Sequence, residues 1–207
     1  MSEVDPAWLS RGPMLPTAEQ PPTPDGWATE FKWDGVRCLL VVNPGDTRLI
    51  SRNGKNITRA YPELAAVGDM VPRRVVLDGE VIATGAGGKP DFARLQRRMH
   101  RDRPDSALLR TVPVSLIAFD VLLDGDAELL DVPYLRRRER LTALDLTDPV
   151  HVPEHVTDVS PADMLEVAAE HDLEGVVAKR VDSRYEPGRR TRDWIKTAIR
   201  HTVSTVV

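Results

Sequence analysis

A lysine, an aspartate, a glycine and an arginine interrupt the apolar, strand-like segment EFKWDGVRCLL, residues 30–40. In a strand, Lys32 and Asp34 would point to the same side because side chains alternate. Arg37 joins them only if Gly35 resets the phase through a bulge or a tight turn. A lysine held among cations or out of water loses its proton more easily and becomes a nucleophile. The segment therefore predicts either a reactive Lys32 facing a pocket or an edge-strand lysine paired with Asp34.

Five further polar insertions follow the first one along the chain, each within a strand-like run. They are SRNGK (51–55), LDGE (77–80), FDVL (119–122), EGVVAKR (174–180) and DWIK (193–196). Taken singly, each has an ordinary explanation, such as a solvated glutamate at a hairpin turn for Glu80 or a core position for Phe119. Their number and order point instead to one site assembled from several strands.

This ordered set resembles the covalent nucleotidyltransferases, and above all the bacterial ATP-dependent DNA ligases of the repair type. RNA ligases and mRNA capping enzymes are relatives within that superfamily. The resemblance runs from Trp27 to Ile199 and includes the segment DFARLQRRM, residues 91–99. It implies a domain in which a lysine takes AMP from ATP.

The resemblance assigns a role to each polar insertion. Lys32 is expected to attack the α-phosphate of ATP, which gives lysyl-AMP and pyrophosphate, and AMP then passes to a DNA 5′-phosphate so that a nick can be sealed. Lys196 is expected to grip the α-phosphate during that exchange. Glu80 would accept a hydrogen bond from the ribose, and Phe119 would stack on adenine. The ATP-binding residues are thus expected to be Glu30, Arg37, Arg52, Glu80, Phe119 and Lys196.

The same resemblance implies a divalent cation and a DNA surface. Glu174, together with Glu80, is expected to hold Mg²⁺, or Mn²⁺ in its place, because ATP is a polyanion and Mg²⁺ needs few protein ligands. Position 198 departs from the W-x-K-x-K pattern of many relatives, since Ala198 stands where a second lysine is usual. For nicked duplex DNA, the sequence offers the arginines Arg97, Arg98 and Arg101 as candidate contacts.

Composition limits the class of protein. The chain has 207 residues, one cysteine (Cys38) and a formal net charge of −4. A negative net charge disfavours indiscriminate coating of nucleic acid, and a single cysteine fits a reducing compartment. No apolar run approaches the length of about 20 residues that a membrane span requires, and residues 1–10 lack a signal-peptide pattern. We expect a monomer in the cytoplasm, at the nucleoid, with no membrane partner and with other DNA repair proteins as further partners.

The elements that must position these residues are mainly strands. Segments rich in β-branched residues, separated by Gly, Pro or Asp, predict an α+β fold with two antiparallel sheets and flanking helices that form a nucleotide cleft. Six prolines between positions 6 and 24 predict an extended arm, residues 1–26, laid over the domain. Residues 27–200 would be the adenylation domain. Residues 201–207 would begin a linker to an OB-fold domain that is absent here, so we expect weak nick sealing.

Three helices are predicted. Residues 90–100 and 133–144 place apolar side chains at helical spacing, which leaves the arginine runs 94–103 and 135–140 as solvated faces. The third helix begins at Ser160 as N-cap, with Pro161 in its first turn.

Three alternative functions remain open. An RNA-end ligase shares the chemistry of a DNA ligase. A capping-type guanylyltransferase is disfavoured by the segments EFKWDGVR and LQRRM. A non-enzymatic nucleotide-binding module of a repair complex would explain Ala198 and the missing domain, but such a module has no reason to retain Lys32, Glu80 and Glu174 together.

Overall fold

Ten strands and five α-helices form in the residues that the computed structural model describes, which are 5–23, 25–85, 88–99 and 101–199. The strands are β1 Leu15–Ala18, β2 Trp27–Phe31, β3 Val36–Asn43, β4 Asp46–Ser51, β5 Val75–Ala83, β6 Val114–Asp124, β7 Ala127–Glu128, β8 Val150–His151, β9 Gly175–Arg180 and β10 Arg190–Ala198. The helices are α1 Pro62–Ala65, α2 Phe92–Gln96, α3 Ser106–Thr111, α4 Tyr134–Thr142 and α5 Pro161–Glu170. None of the helices in these residues is long and apolar enough to cross a membrane.

The larger sheet has the strand order β4-β3-β5-β6-β7, with β8 added parallel to β6. Alternation along β3 sends Cys38, Leu40 and Val42 to one face, where they are buried in the main core with α1 and the loops around it. Cys38 is fully buried, as expected for a small core residue. The opposite face carries Leu39 and Val41 into a second core.

The smaller sheet has the order β1-β10-β9-β2. Its central pairs are antiparallel, and β1 lies parallel to β10. Trp194 of β10 and Tyr185 pack against Leu39 and Val41 in the second core, so the two sheets face each other there. The predicted pair of mainly antiparallel sheets is confirmed, and each sheet also includes one parallel strand pair.

The segment that contains Lys32 joins the two sheets. β2 ends at Phe31 and β3 begins at Val36, so EFKWDGVRCLL is two strands in different sheets and not one run. Gly35 allows the crossing, because a Cβ at this position would lie 2.1 Å from the carbonyl oxygen of Val81. The expected phase reset at Gly35 is therefore a change of sheet.

The N-terminal arm is part of the core. Residues 7–11 form a 3-10 helix whose Trp8 and Leu9 are buried, and Met14 is completely buried. β1 then adds an edge strand to the smaller sheet. The described part of the arm is thus not simply extended, because it contributes regular structure and core side chains.

The helix starts were predicted better than the helix faces. Ser160 caps α5 by accepting a hydrogen bond from the Asp163 backbone N–H at 3.0 Å, as expected. The prediction that the arginine run in α4 is a solvated face was wrong for Arg137 and Arg138, which are buried. Arg137 forms a two-pronged pair with Asp120 of β6, so its charge is compensated inside the protein.

Candidate active site

A cleft between the two sheets brings together residues from all six polar segments. The lysine expected to react with ATP and the side chains expected to bind it all line this cleft: Glu30, Lys32, Arg37, Arg52, Glu80, Phe119 and Lys196. Lys179 of the segment 174–180 lines it as well. The cleft continues the second core, because Arg37 lies two residues before Leu39 and shares its face of β3. The roles of these residues stay predictions, but their convergence on one cleft is a property of the fold.

The smaller sheet supplies one wall through strand register. Val177 of β9 lies opposite Glu30 on one side and Lys196 on the other. Lys179 lies opposite Trp194 in the next row of the same face. This wall therefore carries the buried carboxylate of Glu30, the buried ammonium of Lys179 and the more exposed ammonium of Lys196 on one face.

Lys32 sits at the edge of this wall, just beyond the end of β2. Its backbone N–H donates to the carbonyl oxygen of Gly175 at 2.8 Å, which extends the β2–β9 pairing by one residue. Its ammonium forms an ion pair with Glu174, the residue before that glycine. Burial raises the pKa of Asp34, and the negative charge of Glu174 adds to this effect. The alternative of an edge-strand Lys32 paired with Asp34 is wrong, since the partner is Glu174.

A group of cations occupies the same end of the cleft. Partial burial lowers the pKa of Lys196, and the positive charges of Lys32, Arg190 and Arg52 lower it further. Mutual repulsion of this kind is relieved when an anion binds among the cations. This end of the cleft is suited to phosphate groups.

Arg37 is committed to other protein groups. Its Nε and Nη2 donate to the two carboxylate oxygens of Asp78 at 2.6 and 2.7 Å, and Nη2 also donates to the carbonyl oxygen of Met14. The Tyr185 hydroxyl donates to the same Asp78 at 2.5 Å. The Arg37 guanidinium lies 4.7 Å from the centroid of the Phe119 ring. In this structure Arg37 therefore mainly stabilises the wall of the cleft. A contact with ATP would use its remaining nitrogen, Nη1.

Glu80 lies opposite Arg37 in the β3–β5 register. Burial raises its pKa to about 8, and the nearby positive charges of Arg37 and Lys32 only partly oppose this. At neutral pH the side chain is therefore mostly a neutral carboxylic acid, which can both donate and accept a hydrogen bond. A ribose hydroxyl is a suitable partner for such a group.

The part of the cleft around Phe119 and Trp194 is aromatic and buried. The sequence leaves open whether Lys179 is a surface or a structural cation, and at 2% exposed it is not on the surface. Its ammonium lies 4.5 Å from the ring centroids of both Phe119 and Trp194 and donates to Glu30 at 2.9 Å. Buried aromatic faces and a buried charged pair make this part, the aromatic end, suited to a planar, polar-edged ring.

The proposed DNA surface needs a correction. Arg98 is fully buried, with its guanidinium bound to Glu63 and to the carbonyl oxygens of Ala60 and Val112. It cannot reach a DNA backbone without leaving these partners, so the prediction that it contacts DNA was wrong. Arg97 and Arg101 are exposed and remain candidates.

Ala198 is the last residue of β10, while Arg200, a candidate to compensate for the missing second lysine, lies outside the described residues. Ala198 is exposed and lies opposite Gly175, two residues along β10 from Lys196. Alternation gives it the same face as Lys196, near the Lys32 end of the cleft. A lysine at 198 would add one more cation at that end.

Several residues that line the cleft or support it were not predicted from the sequence. Trp33 and Pro16 line the cleft, and Trp194 forms part of its aromatic end. Trp194 could have been found, because it precedes Lys196 by two residues in a strand. Tyr134, whose hydroxyl is bound to Glu30, could not have been identified from the sequence pattern, because it lies in a helix 104 residues from Glu30.

Comparison with known proteins agrees with this geometry. Residues 17–197 match the ATP dependent DNA ligase domain family. The multifunctional non-homologous end joining protein LigD of Mycobacterium bovis is 40% identical over 186 residues, which cover 87% of this chain and 22% of that protein. A probable DNA ligase of Anaeromyxobacter dehalogenans is 40% identical over 187 residues, covering 87% of this chain and 36% of that protein. The chain thus spans about a fifth to a third of the length of these relatives.

Solved structures show the same fold. The ligase domain of M. tuberculosis LigD matches with a TM-score of 0.77 and 37% identity, covering 89% of this chain and 58% of that one. A mycobacterial DNA ligase D complexed with ATP and MES matches with a TM-score of 0.78 and 36% identity, covering 90% of this chain and 60% of that one. The extent of the family match and these identities are decisive, and the chain belongs to the ATP dependent DNA ligase domain family.

Proposed function

We propose that this chain is the nucleotidyltransferase part of an ATP-dependent DNA ligase, in which Lys32 becomes covalently linked to AMP. The observation that carries the proposal is the placement of Lys32 in the cleft. It lines the same cleft as the aromatic side chains Phe119 and Trp194, which suit a base, and as the cations Lys196 and Arg52, which suit phosphates. Membership of the ligase family supports the proposal.

The proposed reaction forms one bond and breaks one. The neutral Lys32 amine attacks the α-phosphate of ATP, a nitrogen–phosphorus bond forms, and the bond to pyrophosphate breaks. Lys196 and Arg52, on the cationic side, stabilise the negative charge that develops on the phosphate oxygens. The Lys32 ammonium has no lone pair, so it must first lose a proton, to the paired Glu174 carboxylate or to water, and the nitrogen releases a second proton to water once its bond to phosphorus has formed.

Glu174 fits a divalent cation, and Glu80 fits the same cation once it has released its proton. Both are oxygen ligands, both act electrostatically on the same part of the cleft, and Mg²⁺ is commonly held by one or two carboxylates plus phosphate oxygens and water. Bound there, Mg²⁺ would screen the phosphate charges of ATP and help stabilise the transition state. Within the described residues no group of three or more His, Cys, Asp or Glu could hold a metal ion.

The second half of the proposed function is transfer of AMP to the 5′-phosphate of nicked DNA. The relatives named for non-homologous end joining support a role in DNA repair, and the activity of the whole protein, its DNA substrate and its repair partners belong to this proposal. We place this activity in the cytoplasm, at the nucleoid, where its substrate would be found.

Intact-mass measurement after incubation with ATP and Mg²⁺ tests the first step. We expect a mass gain of one AMP, absent with Lys32→Ala and retained with Lys55→Ala, which removes an exposed lysine. Labelling by GTP and not ATP would favour a capping enzyme instead. A protein that never gains AMP, or that gains it without Lys32, contradicts the proposal.

The second step can be tested with the adenylylated protein. It is mixed with a 5′-phosphorylated nick in DNA or in RNA, and transfer of labelled AMP to each strand is measured. Faster transfer to DNA is expected, and a preference for RNA would favour the RNA-end ligase.

A further inference from the structure

The Glu30 carboxylate is held by three groups at the aromatic end of the cleft. The Tyr134 hydroxyl donates to Oε1, and the Lys179 ammonium donates to Oε2 at 2.9 Å. Arg138 places its Nε 3.9 Å from Oε1. Glu30, Lys179 and Arg138 are each 2% exposed, and Tyr134 is fully buried, so water takes little part in this arrangement.

Two of these three groups come from one helix. Tyr134 and Arg138 are four residues apart, which places them on the same face of α4. Between them, Arg137 is bound to Asp120, the neighbour of Phe119 in β6. α4 therefore fixes two parts of the aromatic end at once, Glu30 in the smaller sheet and the Phe119 region in the larger one.

The arrangement keeps Glu30 as a hydrogen-bond acceptor. Burial by itself would raise the pKa of Glu30, but the charges of Lys179 and Arg138 and the hydrogen bond from Tyr134 hold it below its ordinary value. An ionised carboxylate has about four acceptor sites, and the two hydrogen bonds use two of them. The remaining sites can accept from an amino group on a bound ring and would repel a carbonyl oxygen.

We propose that Tyr134 and Arg138 are positioning residues that hold Glu30 in the orientation and charge state needed to select a purine with a 6-amino group over one with a 6-oxo group. The inference rests on the proposed function, because it requires that a nucleotide base occupies the aromatic end of the cleft. Neither Tyr134 nor Arg138 lines the cleft. Both act through Glu30.

The selectivity should be sensitive to a single hydroxyl. Tyr134→Phe leaves the ring in place and removes only the donor to Oε1, so the carboxylate can rotate and its charged form is less favoured. Loss of a hydrogen bond to a charged group shifts an equilibrium by a factor of about ten or more. We expect the loss to fall on base selection and nucleotide affinity, because Tyr134 is bound to Glu30, whereas Lys32 is paired with Glu174.

The experiment measures the rate of Lys32 modification by intact mass over a range of ATP or inosine triphosphate concentrations. For Tyr134→Phe we expect the ATP-to-inosine-triphosphate ratio of kcat/KM to fall about tenfold, with KM for ATP raised and kcat at saturating ATP little changed. Tyr61→Phe is the matched control, since it removes a hydroxyl from another buried tyrosine that does not line the cleft, and it should leave the ratio unchanged.

A double-mutant cycle tests whether Tyr134 acts through Glu30. Once Glu30→Gln is present, adding Tyr134→Phe should change the ratio little further. If Tyr134→Phe does not fold, Arg138→Gln should lower the ratio in the same direction. An unchanged ratio in the folded variant overturns the inference, as do equal effects of Tyr134→Phe with and without Glu30→Gln. Failure of the proposed function would look different, because the unaltered protein itself would then not modify Lys32 with ATP.

Discussion

Lys32 and Glu174 form an ion pair across the junction of β2 and β9, although most of the domain separates them in the sequence. The pair explains how a lysine can occupy a partly enclosed cleft before nucleotide binds, since an unpaired ammonium there would be costly. It also means that Glu174 has one partner without ATP and would have a different environment with ATP and a metal ion.

Removing Glu174 should damage the reaction more than nucleotide binding. A preorganised group that stabilises transition-state charge contributes about 3 kcal/mol, so Glu174→Ala should slow Lys32 adenylylation about 100-fold. ATP affinity, measured by calorimetry in the Lys32→Ala background, should change only a few-fold. Glu170→Ala, an exposed carboxylate at the end of α5, is the control. Loss of affinity equal to the loss of rate would argue against a transition-state role.

Removing Glu80 should change how the protein distinguishes riboses. If this side chain binds the ribose 2′-hydroxyl, Glu80→Ala should lower the rate with ATP and leave the rate with 2′-deoxy-ATP nearly unchanged. The measurement is the adenylylation rate with each nucleotide at several concentrations. Equal losses with both nucleotides would show that Glu80 does not contact that hydroxyl.

The raised pKa of Glu80 also predicts a pH-dependent stability. Because the folded protein holds this proton up to about pH 8 and the unfolded chain releases it near the ordinary value, stability is lost as pH rises between the two. Glu80→Gln removes that loss. In thermal unfolding, the stability of Glu80→Gln relative to the unaltered protein should therefore increase from pH 5 to pH 8. Above pH 8 it should not increase further. A constant difference at all pH values would contradict the assignment.

A lysine at position 198 should speed adenylylation. Ala198 lies on the cleft side of β10 and is exposed, so Ala198→Lys can add a cation without disturbing the core. An exposed charge–charge interaction contributes up to about 1 kcal/mol, which predicts a rate increase of up to about fivefold. Ala198→Gln adds length without charge and should give no increase. A fivefold gain with glutamine would point to packing and not to charge.

The three arginines near α2 should separate into two groups. Arg98→Ala should lower the free energy of unfolding by about 2–3 kcal/mol, because it leaves Glu63 and two carbonyl oxygens without their buried partner. Arg97→Ala with Arg101→Ala should leave stability unchanged and weaken binding to nicked DNA, lowering the slope of log K against log salt by about 0.9 for each arginine that binds a phosphate. Denaturant unfolding and DNA titration at several salt concentrations measure the two effects. No change in DNA affinity for the double variant would remove this surface from the DNA interface.

The sequence alone identified the family, the mainly antiparallel α+β fold and most of the cleft. Strand-forming runs interrupted by single polar residues can be recognised in the sequence itself. Side-chain alternation then assigns Glu80 or Lys196 to a definite face of its strand. Helix starts such as Ser160 depend on neighbours three residues away, so local sequence predicts them as well.

Only the tertiary structure decided which charged residues are internal. Arg98, Arg137, Arg138 and Lys179 look like surface cations in the sequence, and each is buried because a carboxylate or a carbonyl from a distant segment compensates it. The same holds for Arg37, whose guanidinium is bound to Asp78, and for Tyr134, which reaches Glu30 of β2 from helix α4. The free energy of burying a charge depends on partners that the fold brings together, and local sequence carries no record of them.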